Sequence, residues 1–258
     1  MGEMGDFEQA RPELAQRGLG ALRRRGIYLL PNLFTTAALF AGFYAIVQAM
    51  NARYEIAAIA IFVAMLLDGV DGRVARWTHT QSEFGAQYDS LSDMVSFGAA
   101  PALVLYEWQL KGLDKLGWIA AFVYCAGAAL RLARFNTNID VVDKRFFQGL
   151  PSPMAAAFVA GLVWVIDDFG IRRAEWIAWI AWACAMFAGI SMVTNLPFYS
   201  FKDINWKKSV PFWVVPLVAA GLAVISYKPP VVLFLLCLAY AVSGYVLWGL
   251  GTRVRPSA

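Results

Sequence analysis

The sequence predicts an all-α fold: a polytopic membrane helical bundle of about eight transmembrane helices, preceded by an N-terminal juxtamembrane segment. Three observations predict it. The 258 residues are 60% hydrophobic and only 16% charged, where soluble domains carry about 25% charged residues. Mean hydropathy is +0.55, and eighteen Phe and ten Trp add to the apolar excess. The apolar residues gather into runs near the length that crosses a hydrocarbon core, about 20 residues at 1.5 Å each.

The elements follow in order. Residues 1–26 form a cytoplasmic arm with Pro12 near a helix start and Leu14, Leu19 and Leu22 among polar residues. That pattern suits a short helix lying on the membrane surface, and equally a disordered arm. So long a polar lead before the first apolar run is not typical of a cleavable signal peptide. The membrane domain, 27–250, holds apolar segments at 27–50, 55–75, 91–110, 115–133, 151–167, 174–196, 210–226 and 230–250. Segments four and five are the shortest in strict apolar content. Residues 251–258 are a cytoplasmic tail. No Ser/Gly-rich linker, low-complexity tract or clear internal repeat divides the chain, so one domain accounts for it.

With eight crossings both termini share a side, and 16 of the 22 Lys and Arg fall on that side. The positive-inside rule makes it cytoplasmic. The net charge of +4 fits attraction to anionic lipid headgroups and gives no reason to expect nucleic acid. Cys125, Cys184 and Cys237 lie in apolar runs without metal-ligand spacing and read as small buried side chains.

Four aspartates break this apolar pattern. Asp68 and Asp71 close the second segment, and Asp89 and Asp93 open the third. Spacings of three and four put each pair on one helix face, and the polar stretch 77–87 between them reads as a cytoplasmic turn. Two helices thus present two carboxylates each to a common point. Carboxylates that close cannot all ionise without cations. All-oxygen ligands select hard ions, and four carboxylates suit two divalent ions, the arrangement used in phosphoryl chemistry. Gly72, Ala75 and Gly85 leave room for a ligand beside them, and Arg76 offers a phosphate-seeking guanidinium. Charges that merely mark span ends are the plainer reading of any one Asp, but not of four on two faces. His79, the single histidine, falls in the turn and reads as solvated.

Asp68-x₂-Asp71-Gly72-x₂-Ala75-Arg76-x₈-Gly85-x₃-Asp89-x₃-Asp93 resembles, at every specified position, the signature of the CDP-alcohol phosphotransferases. The resemblance implies a membrane fold with an interfacial site and two divalent ions, Mg²⁺ or Mn²⁺, in a homodimer. It also implies transfer of a phosphatidyl or phosphoalcohol group from a CDP-linked donor to an alcohol, with release of CMP. By position, Asp68, Asp71 and Asp89 would ligate metal. Asp93 would complete the second metal site and act as general base. Gly72, Ala75, Arg76 and Gly85 would line the cytidine and phosphate pocket. Asn32 and Thr35 either contact the donor or bond backbone near the interface.

Softer matches concern the acceptor. Arg131-Leu-Ala-Arg134-Phe-Asn136, Gln148-Gly-Leu-Pro-Ser-Pro153, Pro31-Asn32 and Thr194-Asn-Leu-Pro197 are similar to the membrane-spanning CDP-diacylglycerol–serine branch of that family. This implies CDP-diacylglycerol and L-serine as substrates, among membrane lipids. Arg131 and Arg134, one turn apart, suit a carboxylate, and Asn136 or Ser152 suits an ammonium or hydroxyl. The same arginines also suit a positive-inside anchor, or the phosphate of glycerol 3-phosphate or inositol phosphate. A cation transporter is the rival of another class, but it predicts acids at the bilayer midplane on broken helices.

Overall fold

The structure, a computed structural model, describes residues 32–78, 82–137, 146–171, 175–200 and 214–251. The arm, residues 27–31, His79 and the tail beyond Gly251 lie outside the described residues. The chain forms helices α1 (Asn32–Met50), α2 (Tyr54–Thr78) and α3 (Glu83–Asp93). A π-helical turn (Met94–Ala99), α4 (Ala100–Trp108), a 3₁₀ turn (Leu110–Leu113) and α5 (Asp114–Thr137) follow. Next come β1 (Phe146–Gln148), α6 (Ser152–Asp168), α7 (Glu175–Val193), β2 (Pro197–Tyr199), α8 (Val214–Tyr227) and α9 (Pro229–Gly249).

The all-α expectation holds apart from β1 and β2, three residues each, which pair antiparallel with Phe147 opposite Phe198. Every apolar run contains a helix, yet four helical stretches among the described residues are long and apolar enough to cross a membrane. They are Asn32–Met50, Leu110–Thr137, Glu175–Val193 and Pro229–Gly249. α6 and α8 have only 17 and 14 residues, and α2 carries Glu55, Asp68 and Asp71. These four helices mark an integral membrane protein. Its outward face agrees: Phe40, Phe43, Leu66, Phe122 and Leu236 are all more than half exposed, a surface suited to lipid.

Inside, small residues let backbones approach, as lipid-embedded helices require. A Cβ at Gly127 of α5 would collide with the carbonyl of Gly189 in α7. A Cβ at Gly189 would sit 2.9 Å from the Cα of Tyr124. The α5–α7 contact is therefore backbone against backbone. Around it pack Phe97, Leu105, Tyr124, Ile177 and Met192, all fully buried.

The helix through the second aspartate pair is not regular. Pro101 has no N–H, so the buried carbonyl of Phe97 four residues earlier loses its usual donor. Two adjustments compensate. The turn widens, the N–H of Ala100 bonding to the Val95 carbonyl five residues back. The buried Tyr124 hydroxyl then donates to the Phe97 carbonyl at 3.0 Å. On the other side Ser92 and Ser96 donate to the α1 carbonyls of Thr35 and Ala38, each at 3.1 Å. Asp93, between these anchors, is held by α1 and α5 together.

Tyr124→Phe keeps the ring and strands the Phe97 carbonyl. The expected cost is about 1–3 kcal/mol of stability, read as a lower Tm of the detergent-solubilised protein. An unchanged Tm would show that the carbonyl finds another donor.

Candidate active site

The last turns of α2 carry Asp68 and Asp71, and α3 returns with Asp89 and Asp93. Ser82 caps α3, its hydroxyl accepting the Gly85 N–H at 3.0 Å. That cap fixes where the helix begins, and with it the direction in which residue 89 points. One carboxylate oxygen each from Asp68, Asp71 and Asp89 lie within 4.8 Å of one another. Asp93 joins them through the interaction of its side chain with that of Asp68. All four predicted ligands therefore meet.

Two details show that this cluster suits a cation. Thr35 donates to Asp71 Oδ2 at 2.8 Å, orienting that carboxylate. Asp89 Oδ1 is sealed from solvent with no hydrogen-bond partner. An orphaned buried carboxylate oxygen is costly, and a hard divalent ion is what satisfies such an oxygen. Burial, and then the charges of Asp71 and Asp68, push the Asp89 carboxyl up to about 7.

The residues predicted to line the donor pocket lie on α1, on α2 after Asp71 and at the start of α3. A Cβ at Gly72 would meet nothing within 4 Å, leaving open space beside Asp71. One at Gly85 would lie 3.6 Å from Asn32 Oδ1, so α1 and α3 bring these two together. Ala75 and Arg76 lie on the last turn of α2; their side chains are outside the description. Thr36 and Tyr88, which sequence reasoning passed over, share a 2.9 Å hydrogen bond across the same seam.

The four predicted acceptor residues are not used alike. Arg131 is buried, its Nη1 donating to Ser152 Oγ at 2.8 Å, while its Nε has no partner. Its charge interacts with Asp93, which ties this pair to the aspartates. Asn136 donates to Ser90 Oγ at 2.8 Å, beside Asp89. Arg134 goes elsewhere. Its Nη1 reaches the Val193 carbonyl at 3.1 Å and Asn195 Oδ1 at 2.9 Å. Its Nη2 reaches the carbonyls of Gln148 at 2.6 Å and of Met192 and Thr194 at 3.3 Å. The two arginines expected to act as a pair thus point to different partners. Ser90 and Asn195 carried no separate signal, although Asn195 lies inside the Thr194–Pro197 match.

The profile of the family described as CDP-alcohol phosphatidyltransferase matches residues 28–187, which include all four aspartates and both arginines. A Helicobacter pylori protein named CDP-diacylglycerol–serine O-phosphatidyltransferase is 31% identical over 226 residues, 86% of this chain and 92% of its own. Proteins of the same name from Mycobacterium leprae and Methanocaldococcus jannaschii are also similar. The first is 32% identical over 225 residues, 84% of this chain and 74% of its own. The second is 33% identical over 186 residues, 72% of this chain and 81% of its own. With its signature aspartates gathered at one point and most of its length matched, the chain belongs to the CDP-alcohol phosphatidyltransferase family.

Proposed function

We propose that the chain transfers the phosphatidyl group of CDP-diacylglycerol to the hydroxyl of L-serine, giving phosphatidylserine and CMP. The observation that carries this reading is the meeting of three carboxylates within 4.8 Å, one of them with a buried oxygen that has no partner. The names of the similar proteins point to serine as the acceptor. In this reading residues 27–250 cross the membrane eight times, as a homodimer in the inner (cytoplasmic) membrane. The arm 1–26, the tail 251–258 and the active site face the cytoplasm.

Asp68, Asp71, Asp89 and Asp93 would hold two divalent ions, Mg²⁺ or Mn²⁺. When bound, such ions neutralise diphosphate oxygens and ease departure of CMP. Asn32, Thr35, Gly72, Ala75, Arg76 and Gly85 line the donor's nucleotide and phosphates, with the open space at Gly72 admitting the diphosphate. Arg131 offers its unpartnered Nε–H to the serine carboxylate. Asn136, whose amide nitrogen is bonded to Ser90, keeps its oxygen for the ammonium. Ser152 holds Arg131 in place. Asp93, as a carboxylate, takes the proton of the serine hydroxyl. That oxygen attacks the phosphorus bearing diacylglycerol, and the bond from this phosphorus to CMP breaks in the same step.

An acceptor screen tests the assignment. Purified protein given CDP-diacylglycerol and Mn²⁺ or Mg²⁺ should release CMP only when L-serine is added. Release with glycerol 3-phosphate or inositol phosphate alone would replace serine, since Arg131 also suits a phosphate. Ion flux in liposomes without CMP release would restore the transporter.

Asp93→Asn should lower kcat by about 10²–10⁴-fold while the KM for CDP-diacylglycerol changes little. Lost donor binding would instead make Asp93 chiefly a metal ligand.

The pH dependence follows from Asp89. Its folded-state value, about 7, lies above the ordinary 3.8. Its contribution to stability is full below the unfolded value and is lost as pH rises through about 7. Metal-free protein should therefore melt lower at pH 8 than at pH 5. Mn²⁺ should restore Tm at pH 8 and do little at pH 5, where protons compete for the same oxygens. Equal metal effects at both pH values would contradict this.

A further inference from the structure

The guanidinium of Arg134 closes a strap that leads to Arg131. Helix α7 ends at Val193, and its last carbonyls have no donors within the helix. Arg134 supplies them at Met192 and Val193, and bonds the Thr194 carbonyl just beyond. With the same group it takes the Gln148 carbonyl at the end of β1, at 2.6 Å. The strap is then sewn by backbone to α7 and to the residue before β2: Leu150 N–H to the Ser191 carbonyl at 3.0 Å and Gly149 N–H to the Leu196 carbonyl at 2.9 Å. Gly149 has φ +78°, the left-handed region. A Cβ there would fall 2.8 Å from the Thr194 carbonyl and 2.9 Å from Arg134 Nη2. Three residues beyond Gly149, Ser152 begins α6 and accepts from Arg131.

We infer that Arg134 is a positioning residue for the acceptor: it locks the 148–152 strap to the end of α7, so that Ser152 holds Arg131 with Nε–H free for the acceptor's anionic group. This rests on the acceptor reading given above. The planar guanidinium reaches five acceptors on two chain segments through two nitrogens, a set that the single nitrogen of a lysine, with three donors, does not cover. The α5–α7 packing does not need Arg134, because the backbone contact at Gly127 and Gly189 lies further back along α5. Loss of the clasp should loosen Ser152 and Arg131 without unfolding the bundle or disturbing the aspartates on α2 and α3.

The test uses full-length protein in CDP-diacylglycerol mixed micelles with Mn²⁺. Arg134→Lys should raise the KM for L-serine about tenfold or more, with the KM for CDP-diacylglycerol within about twofold. Asn195→Ala, which removes one clasp partner and touches no proposed substrate contact, should shift the serine KM in the same direction by a smaller factor. In Arg131→Lys, which has no Nε–H to position, Arg134→Lys should add little further increase, a non-additive pair. The inference is overturned if Arg134→Lys raises both KM values alike, or if the two substitutions add fully. It is also overturned if Asn195→Ala leaves the serine KM unchanged while Arg134→Lys raises it, since Arg134 would then touch serine directly. If wild type uses another alcohol, the serine reading falls, and the clasp is judged on that alcohol's KM by the same criteria.

Discussion

Four carboxylates gathered at the ends of apolar helices repel one another, and each pays for leaving water. Much of the surrounding structure holds them together despite this. Thr35 reaches from α1 to Asp71, and two serines of the α3–π segment grip α1 carbonyls. The side chains of Asp68 and Asp93 lie against each other. Asp89 Oδ1 is left buried with nothing to bond. A site that keeps its ligands crowded before an ion arrives loses little entropy when it binds one, and preorganisation of that kind favours a fixed geometry for phosphoryl chemistry.

A second polar system stands opposite, built on α5. Arg131 sits inside the bundle with Ser152 and within electrostatic range of Asp93. A buried guanidinium with an open Nε–H is as costly as a buried carboxylate with an open oxygen, and the two lie on neighbouring helices. The negative and positive systems offset each other across the space where donor and acceptor would meet. Neither is fully satisfied by the protein alone, which is what a binding site requires and a purely structural network avoids.

The aspartate site was legible in the sequence because helical periodicity alone turns residues three and four apart to one side. The eight apolar runs were legible for the same kind of reason, and each does contain a helix. Their number of crossings was harder, since α6 and α8 are short and α2 spends part of its length on acids. The role of Arg134 was not legible. Most of its partners are main-chain carbonyls, which every residue possesses and no sequence displays. Strands of three residues, Phe146–Gln148 and Pro197–Tyr199, are likewise too short to show alternation. The break at Pro101 is repaired by the Tyr124 hydroxyl, which lies 23 positions further along the sequence, too far for local pattern to reveal.

The wide turn at Met94–Ala99 also sets the phase between two halves of one continuous helix. Upstream, Asp89 and Asp93 must face α2; downstream, Val104, Leu105 and Trp108 must face the core. Removing one residue from the turn would rotate everything after it by about 100° and slide it about 1.5 Å, swinging those side chains toward lipid. The segment can therefore exchange side chains more readily than it can change length. Its residue count acts as a gear tooth, meshing the chemical end of the helix with its packed end.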